Sequence, residues 1–212
     1  MATFSAQIIS LVGETPVQSE LDTWCLEAVK EIAMQLPASL SERCSDKTKL
    51  GDGSPNPTTL DLDTASYGKV LYCTRNNGTY DKSCRLVSSS EAHLVDDSTA
   101  TNFYATADDP AYFIRDNILE IKPTPTDAQP GKVYHIVYPS SIDANSGSDI
   151  TIANFPNEAE HLVILYVAIK QLENYMVDEI SNEDSTLYGL LSDKYTKISG
   201  EYAAGLAVLK GA

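Results

Sequence analysis

The chain has 212 residues, 42% of them hydrophobic, enough to bury a sizeable core as one domain with an insert or as two small domains. Lys and Arg number 15 against 30 Asp and Glu, a formal net charge of −15 with a pI near 4.4. A field of that sign repels phosphate and anionic lipid, which argues against nucleic-acid binding driven by counterion release and favours either a solvated surface or one past which DNA slides without sticking.

Met1–Thr15 has no basic start, and its longest apolar run, Ile8–Val12, is interrupted by Ser10, so no signal peptide is expected. Thr15-Pro16 supplies a cap and a first-turn proline for a helix that Pro37 ends. Between them Leu21, Trp24, Cys25, Ala28, Val29, Ile32, Ala33 and Leu36 form one apolar stripe. Ser39–Cys44 adds a short helical turn, and Asp46–Pro57, with two Gly and two Pro, reads as a loop.

Strands are expected at Thr58–Leu62, Lys69–Thr74, Lys82–Val87, Ala111–Arg115, Ile118–Lys122 and Lys132–Tyr138. Asn77-Gly78 and Asp116-Asn117 are the tight-turn signals of two hairpins. Ser88–Val95 reads as a short helix capped by Ser88 or Ser89. Pro139–Thr151 is a second loop, rich in Ser, Asp, Asn and Gly. Pro156-Asn157 starts a long helix whose centre, Leu162–Ile169, is apolar nearly all round; that run is too short to span a bilayer and reads as buried core. Ser181-x-x-Asp184 resembles a capping box for a last helix with the stripe Leu187, Leu190, Leu191, Tyr195, Ile198, Tyr202, Leu206 and Leu209. Gly189, Gly200 and Gly205 weaken that helix by up to about 1 kcal/mol each relative to Ala, which calls for close approach of a packing partner. The expected architecture is α+β: an antiparallel helical bundle built from residues 1–57 and 151–212, the N-terminal helix joining two long C-terminal ones, with 58–150 as an inserted β-rich domain.

No catalytic constellation emerges. His93, His135 and His161 are dispersed, with no nucleophile in a recognisable elbow, and no P-loop, GxGxxG or HExxH occurs. Cys25, Cys44, Cys73 and Cys84 fit no metal spacing. Cys73 and Cys84 flank a hairpin, so a cross-strand disulfide stands beside the free thiols that a cytoplasmic product favours. Asp143, Asn145 and Asp149 alternate in the manner of a calcium loop, but Gly147 falls at position 5 rather than 6 and Asn154 replaces the terminal Glu, so a polar turn-forming loop is the expectation. Asn77-Gly-Thr79 fits a glycosylation sequon yet coincides with a hairpin turn. Tyr is abundant, at 12 residues, which suits interfaces or sugar-binding faces. No enzyme activity, cofactor or resident metal is expected.

Several stretches resemble the head-to-tail adaptors of tailed bacteriophages, also called head completion or connector proteins. They are MATFSAQI followed by ELDTWCLEAVKEIAMQLP, the middle run YATADDPAYFIRDNILEIKPTPT with KVYHIVYP, then IANFPNEAEHLVILYVAIKQL and the final LYGLLSDKYTKISGEYAAGL. The resemblance implies a virion neck protein, made in the host cytoplasm and not in a membrane. About a dozen copies would close a ring under the portal protein by cyclic symmetry. DNA would pass through its channel without specific binding, and the β-rich part would face tail or neck proteins. With the last helix reaching almost to Ala212, portal docking is expected to rest on helix faces, loops or Met1–Glu14. Two other readings are a tail-completion or baseplate component and, in a different class, a carbohydrate-binding adhesin-like module.

Overall fold

The computed structural model describes residues 3–13, 17–53, 55–64, 66–144, 152–181 and 185–211. The protein is mixed α+β, with an N-terminal helical segment, two four-stranded sheets and two long C-terminal helices. Its contacts divide it into two compact units, one of Met1–Cys44 with Tyr138–Ala212 and one of Ser45–Val137.

The first unit opens with a helix that sequence reading did not anticipate, α1 (Phe4–Val12). The Thr3 hydroxyl accepts from the Ala6 N–H (3.1 Å) at its start, and Gly13, at φ +101°, closes its end by donating to the Ile9 carbonyl (2.7 Å). Phe4, Ile8 and Val12, four residues apart, are its buried stripe. Helix α2 (Gln18–Gln35) buries Leu21, Cys25, Ala28, Val29, Ile32 and Ala33, the stripe read from the sequence. Its expected cap at Thr15-Pro16 lies outside the described residues. After Pro37 come α3 (Ala38–Ser41) and a 3-10 turn, Glu42–Cys44.

Helix α4 (Asn157–Ser181) is the buried centre of this unit, packed against α1, α2 and α5 (Ser185–Lys210). Ala159, Leu162, Val163, Ile164, Val167, Ala168 and Leu172 leave almost no surface. At about 25 cal/mol per Å² of apolar area, such a run supplies much of the unit's stabilisation. On α5, Ile198 is buried and Leu191, Tyr195, Tyr202, Leu206 and Leu209 are half-buried, but Leu187 and Leu190 of the expected stripe are exposed. Of the three α5 glycines, Gly205 alone has a close neighbour: a Cβ there would sit 2.6 Å from the Leu162 side chain, while one at Gly189 or Gly200 would meet nothing within 4 Å. The Ser181–Asp184 capping box extends beyond the described residues.

The second unit contains β1 (Ser45–Leu50), β2 (Thr59–Asp61), β3 (Tyr67–Asn76), β4 (Asp81–Ser83), β5 (Arg85–Leu86), a 3-10 turn at Ser89–Leu94, β6 (Ala111–Arg115), β7 (Ile118–Lys122) and β8 (Gly131–Val137). The sheets run β1-β8-β3-β4 and β2-β7-β6-β5, antiparallel except for β5 beside β6. Strand β1 replaces the first half of the expected loop; every one of its residues pairs with β8, from Ser45 with Ile136 to Leu50 with Gly131. Both expected hairpin turns form. Asp116 and Asn117 have φ of 51° and 60°, the positive pair of a tight hairpin. At the other turn, the Asn77 side-chain oxygen accepts from Thr79 and Tyr80 N–H (3.0 and 2.8 Å), and its amide nitrogen donates to Asp108 (2.7 Å), which supports the turn reading of the sequon. Leu50, Cys73 and Val133 from one sheet meet Leu60, Tyr112, Leu119 and Ile121 from the other in a single apolar cluster.

Candidate functional site

Asp143, the first residue of the candidate calcium loop, is followed by Ala144, which is bonded to two helices. The Ala144 N–H donates to Asp22 of α2 (3.0 Å), and its carbonyl accepts from the Ser5 N–H of α1 (3.1 Å). Asn145 and Asp149 lie outside the described residues. Among the described residues no group of three or more His, Cys, Asp and Glu is placed to hold a metal ion.

The histidines stand on three different elements. His135 is buried on β8 with its ring tilted against Tyr67, centroids 4.4 Å apart. Its Nδ1–H donates to the Ile136 carbonyl (3.2 Å), which leaves Nε2 to accept from the Thr48 hydroxyl (2.9 Å); both contacts are internal to the sheet. His161 is exposed on α4, bonded to the Glu158 carbonyl (3.0 Å), and His93 lies in the 3-10 turn.

All four cysteines are free and buried. Cys73 and Cys84 do face each other across the hairpin, the Cys84 N–H donating to the Cys73 carbonyl (2.9 Å). Burial pushes the Cys25 thiol up to about 12, with Asp22 adding to it, and pushes Cys84 up to about 12 and Cys44 up to about 11 against the pull of Arg75 and Arg43. Cys73 rises for the same reason, Cys84 adding to it. Such thiols stay neutral and are weak nucleophiles and ligands.

Arg75 is nearly fully buried on β3 and spends its donors on the protein: Nε to the Pro123 carbonyl (2.7 Å), one terminal nitrogen to the Asn76 carbonyl (3.1 Å), the other to Gln129 Oε1 (3.1 Å). Three carbonyl oxygens on a guanidinium describe a structural clamp.

What the surface of the helical unit offers instead is apolar area. The last turns of α4 expose Val177 and Ile180, each 61% accessible, and α5 exposes Leu190 at 64% and Val208 at 74%. Between these helices and the end of α1 lies a cavity of about 180 Å³ lined by Val12, Gly13, Tyr175, Glu179, Leu187 and Leu191. Lys194 of α5 donates to the Val12 carbonyl at the end of α1 (3.1 Å). Sequence reading missed this site because it had no α1 and set Leu187 and Leu190 on one packing stripe with the rest of the last helix. The missed signal was the spacing of Phe4, Ile8 and Val12 between Thr3 and Gly13.

Charge divides unevenly between the two units. The helical unit holds 17 Asp and Glu against 6 Lys and Arg, the strand unit 13 against 9. Among the described residues no helix is long and apolar enough to cross a membrane. No protein-family model matches the chain, and no curated protein matches it.

Proposed function

We propose that this protein is a structural component of a phage virion: a head-to-tail adaptor that forms a ring beneath the portal protein, extends the DNA channel and offers a docking surface to the tail. In this reading α2, α4 and α5 form an antiparallel bundle with α1 against it, and the strand unit is a lobe inserted into it. The observation that carries the proposal is the set of exposed apolar residues on α4 and α5, Val177, Ile180, Leu190 and Val208, on helices that also carry buried residues. Side chains of that size on open helix faces suit burial against a neighbouring subunit. The resemblance of the helical stretches to adaptor proteins gives that neighbour an identity, the next copy around the ring. The acidic excess of the helical unit suits a channel wall that repels the phosphate backbone and lets the genome slide.

Quantitative mass spectrometry of purified, DNA-filled particles tests this reading. A count near one copy of this chain per portal subunit supports it. Absence from the particle, or a count near that of a fibre or major tail subunit, overturns it.

A further inference from the structure

The face of the sheet β1-β8-β3-β4 turned away from the apolar cluster gathers lysines and tyrosines. Register places Lys47, Tyr134 and Tyr72 in one cross-strand row and Lys49, Lys132, Thr74 and Ser83 in the next, all on one face. Tyr72 and Tyr134 stack, with ring centroids 4.3 Å apart and planes 18° from parallel, and Tyr72 is 40% exposed. Lys132 is paired with Asp81, whereas Lys47 and Lys49 are exposed and have no ion-pair partner among the described residues. On a chain of net charge −15, this is a cationic patch built around an aromatic pair.

The end of α4 is its complement. Asp178 and Glu179 sit in the last turn, where the helix dipole is already negative, and that turn has no basic residue. Neither carboxylate is ion-paired among the described residues. They are flanked by Val177 and Ile180, the exposed apolar pair, and the sequence continues acidic through Glu183 and Asp184. A negative helix end carrying exposed aliphatic side chains fits a surface that presents ammonium groups beside aromatic rings.

We infer that the Lys47–Lys49–Tyr72–Tyr134 face of one copy docks on the α4 C-terminus of a second copy. The contact is heterologous, one patch meeting a different one, so its repetition generates a ring or an open helical array. It rests on the proposed ring and deepens it by naming the two surfaces that close it. A nucleic acid is the less suited occupant, because a continuous polyanion meets the repulsion of the whole acidic chain, whereas a second copy brings its negative charge in a patch.

Sedimentation velocity of the full chain over a concentration series at about 0.15 M salt, where screening leaves mainly contact pairs, reads the association. Lys47→Glu with Lys49→Glu, or Asp178→Lys with Glu179→Lys, is expected to weaken it about tenfold, and mixing the two variants restores it by reversing both partners. Lys197→Glu with Lys210→Glu makes the same net charge change away from the sheet face and leaves it no weaker. A wild-type chain monomeric throughout overturns the inference, as do charge-reversed variants that fail to rescue each other. Fluorescence anisotropy with a single-stranded thymidine oligonucleotide supplies the other arm: tight binding lost on Lys47→Glu with Lys49→Glu reassigns the face to nucleic acid. None of these results alters the copy count per portal, so the contact and the neck assignment fail separately.

Discussion

A single methyl group separates two kinds of glycine in α5. At Gly205 it would press into Leu162, which is fully buried, so Gly205→Ala is expected to lose about 1–2 kcal/mol in urea unfolding despite the better helix former. At Gly200 it would meet open space, and Gly200→Ala is expected to gain about 1 kcal/mol by the same assay. The expectation that these glycines admit a close partner therefore holds within the chain at Gly205 only. The thiols make a second residue-scale test: native protein at pH 8 should react with a thiol reagent far more slowly than urea-unfolded protein, in which all four cysteines are released.

At the scale of elements, apolar periodicity located what packing had shaped. Helix α2 and the centre of α4 were legible because their stripes are the buried faces, and β6 and β7 because a positive-φ dipeptide joins two β-rich runs. Strand β1 was illegible for the opposite reason. Its sequence, SDKTKL, buries only Leu50, and its ladder with β8 holds it rather than its own side chains. Losing β1 also hid the alternation of Lys47 and Lys49, the one sequence trace of the cationic face. The outermost apolar residues of α5 cannot be told from core by spacing, since an interface stripe and a core stripe share a period. Leu162→Ala should cost about 2–5 kcal/mol in the free chain, and Leu190→Ala less than about 0.5 kcal/mol, as read by chemical denaturation. If Leu190 faces a neighbouring copy, the second variant fails in particle assembly while folding normally.

For the whole molecule, titration of buried thiols and phenols sets the alkaline limit. Each thiol has its folded value above the ordinary 9.0, so its contribution is complete below pH 9 and is lost as pH climbs toward about 11 for Cys44 and about 12 for Cys25 and Cys84. Tyr138 and Tyr202 are raised as well, chiefly by burial, and act in the same direction. The thermal midpoint should therefore fall between pH 9 and pH 11, and Cys73→Val should make that fall shallower. The uneven division of charge adds a separate effect. The helical unit repels itself more than the strand unit does, so raising salt from about 0.01 to 0.15 M should stabilise the helices more than the sheets, as circular dichroism can resolve.

The pairing of Ser45 with Ile136 has a consequence for inheritance. Opposed residues in an antiparallel ladder are about 5 Å apart, so the strand unit begins and finishes at almost one point in space. A segment with such neighbouring ends behaves as a cassette: residues 45–137 can be lifted out, and Cys44 rejoined to Tyr138 through a few glycines, without rethreading a helix. Recombination between genomes can exchange a module of that kind in one step, giving a lineage a new strand unit on an unchanged helical unit.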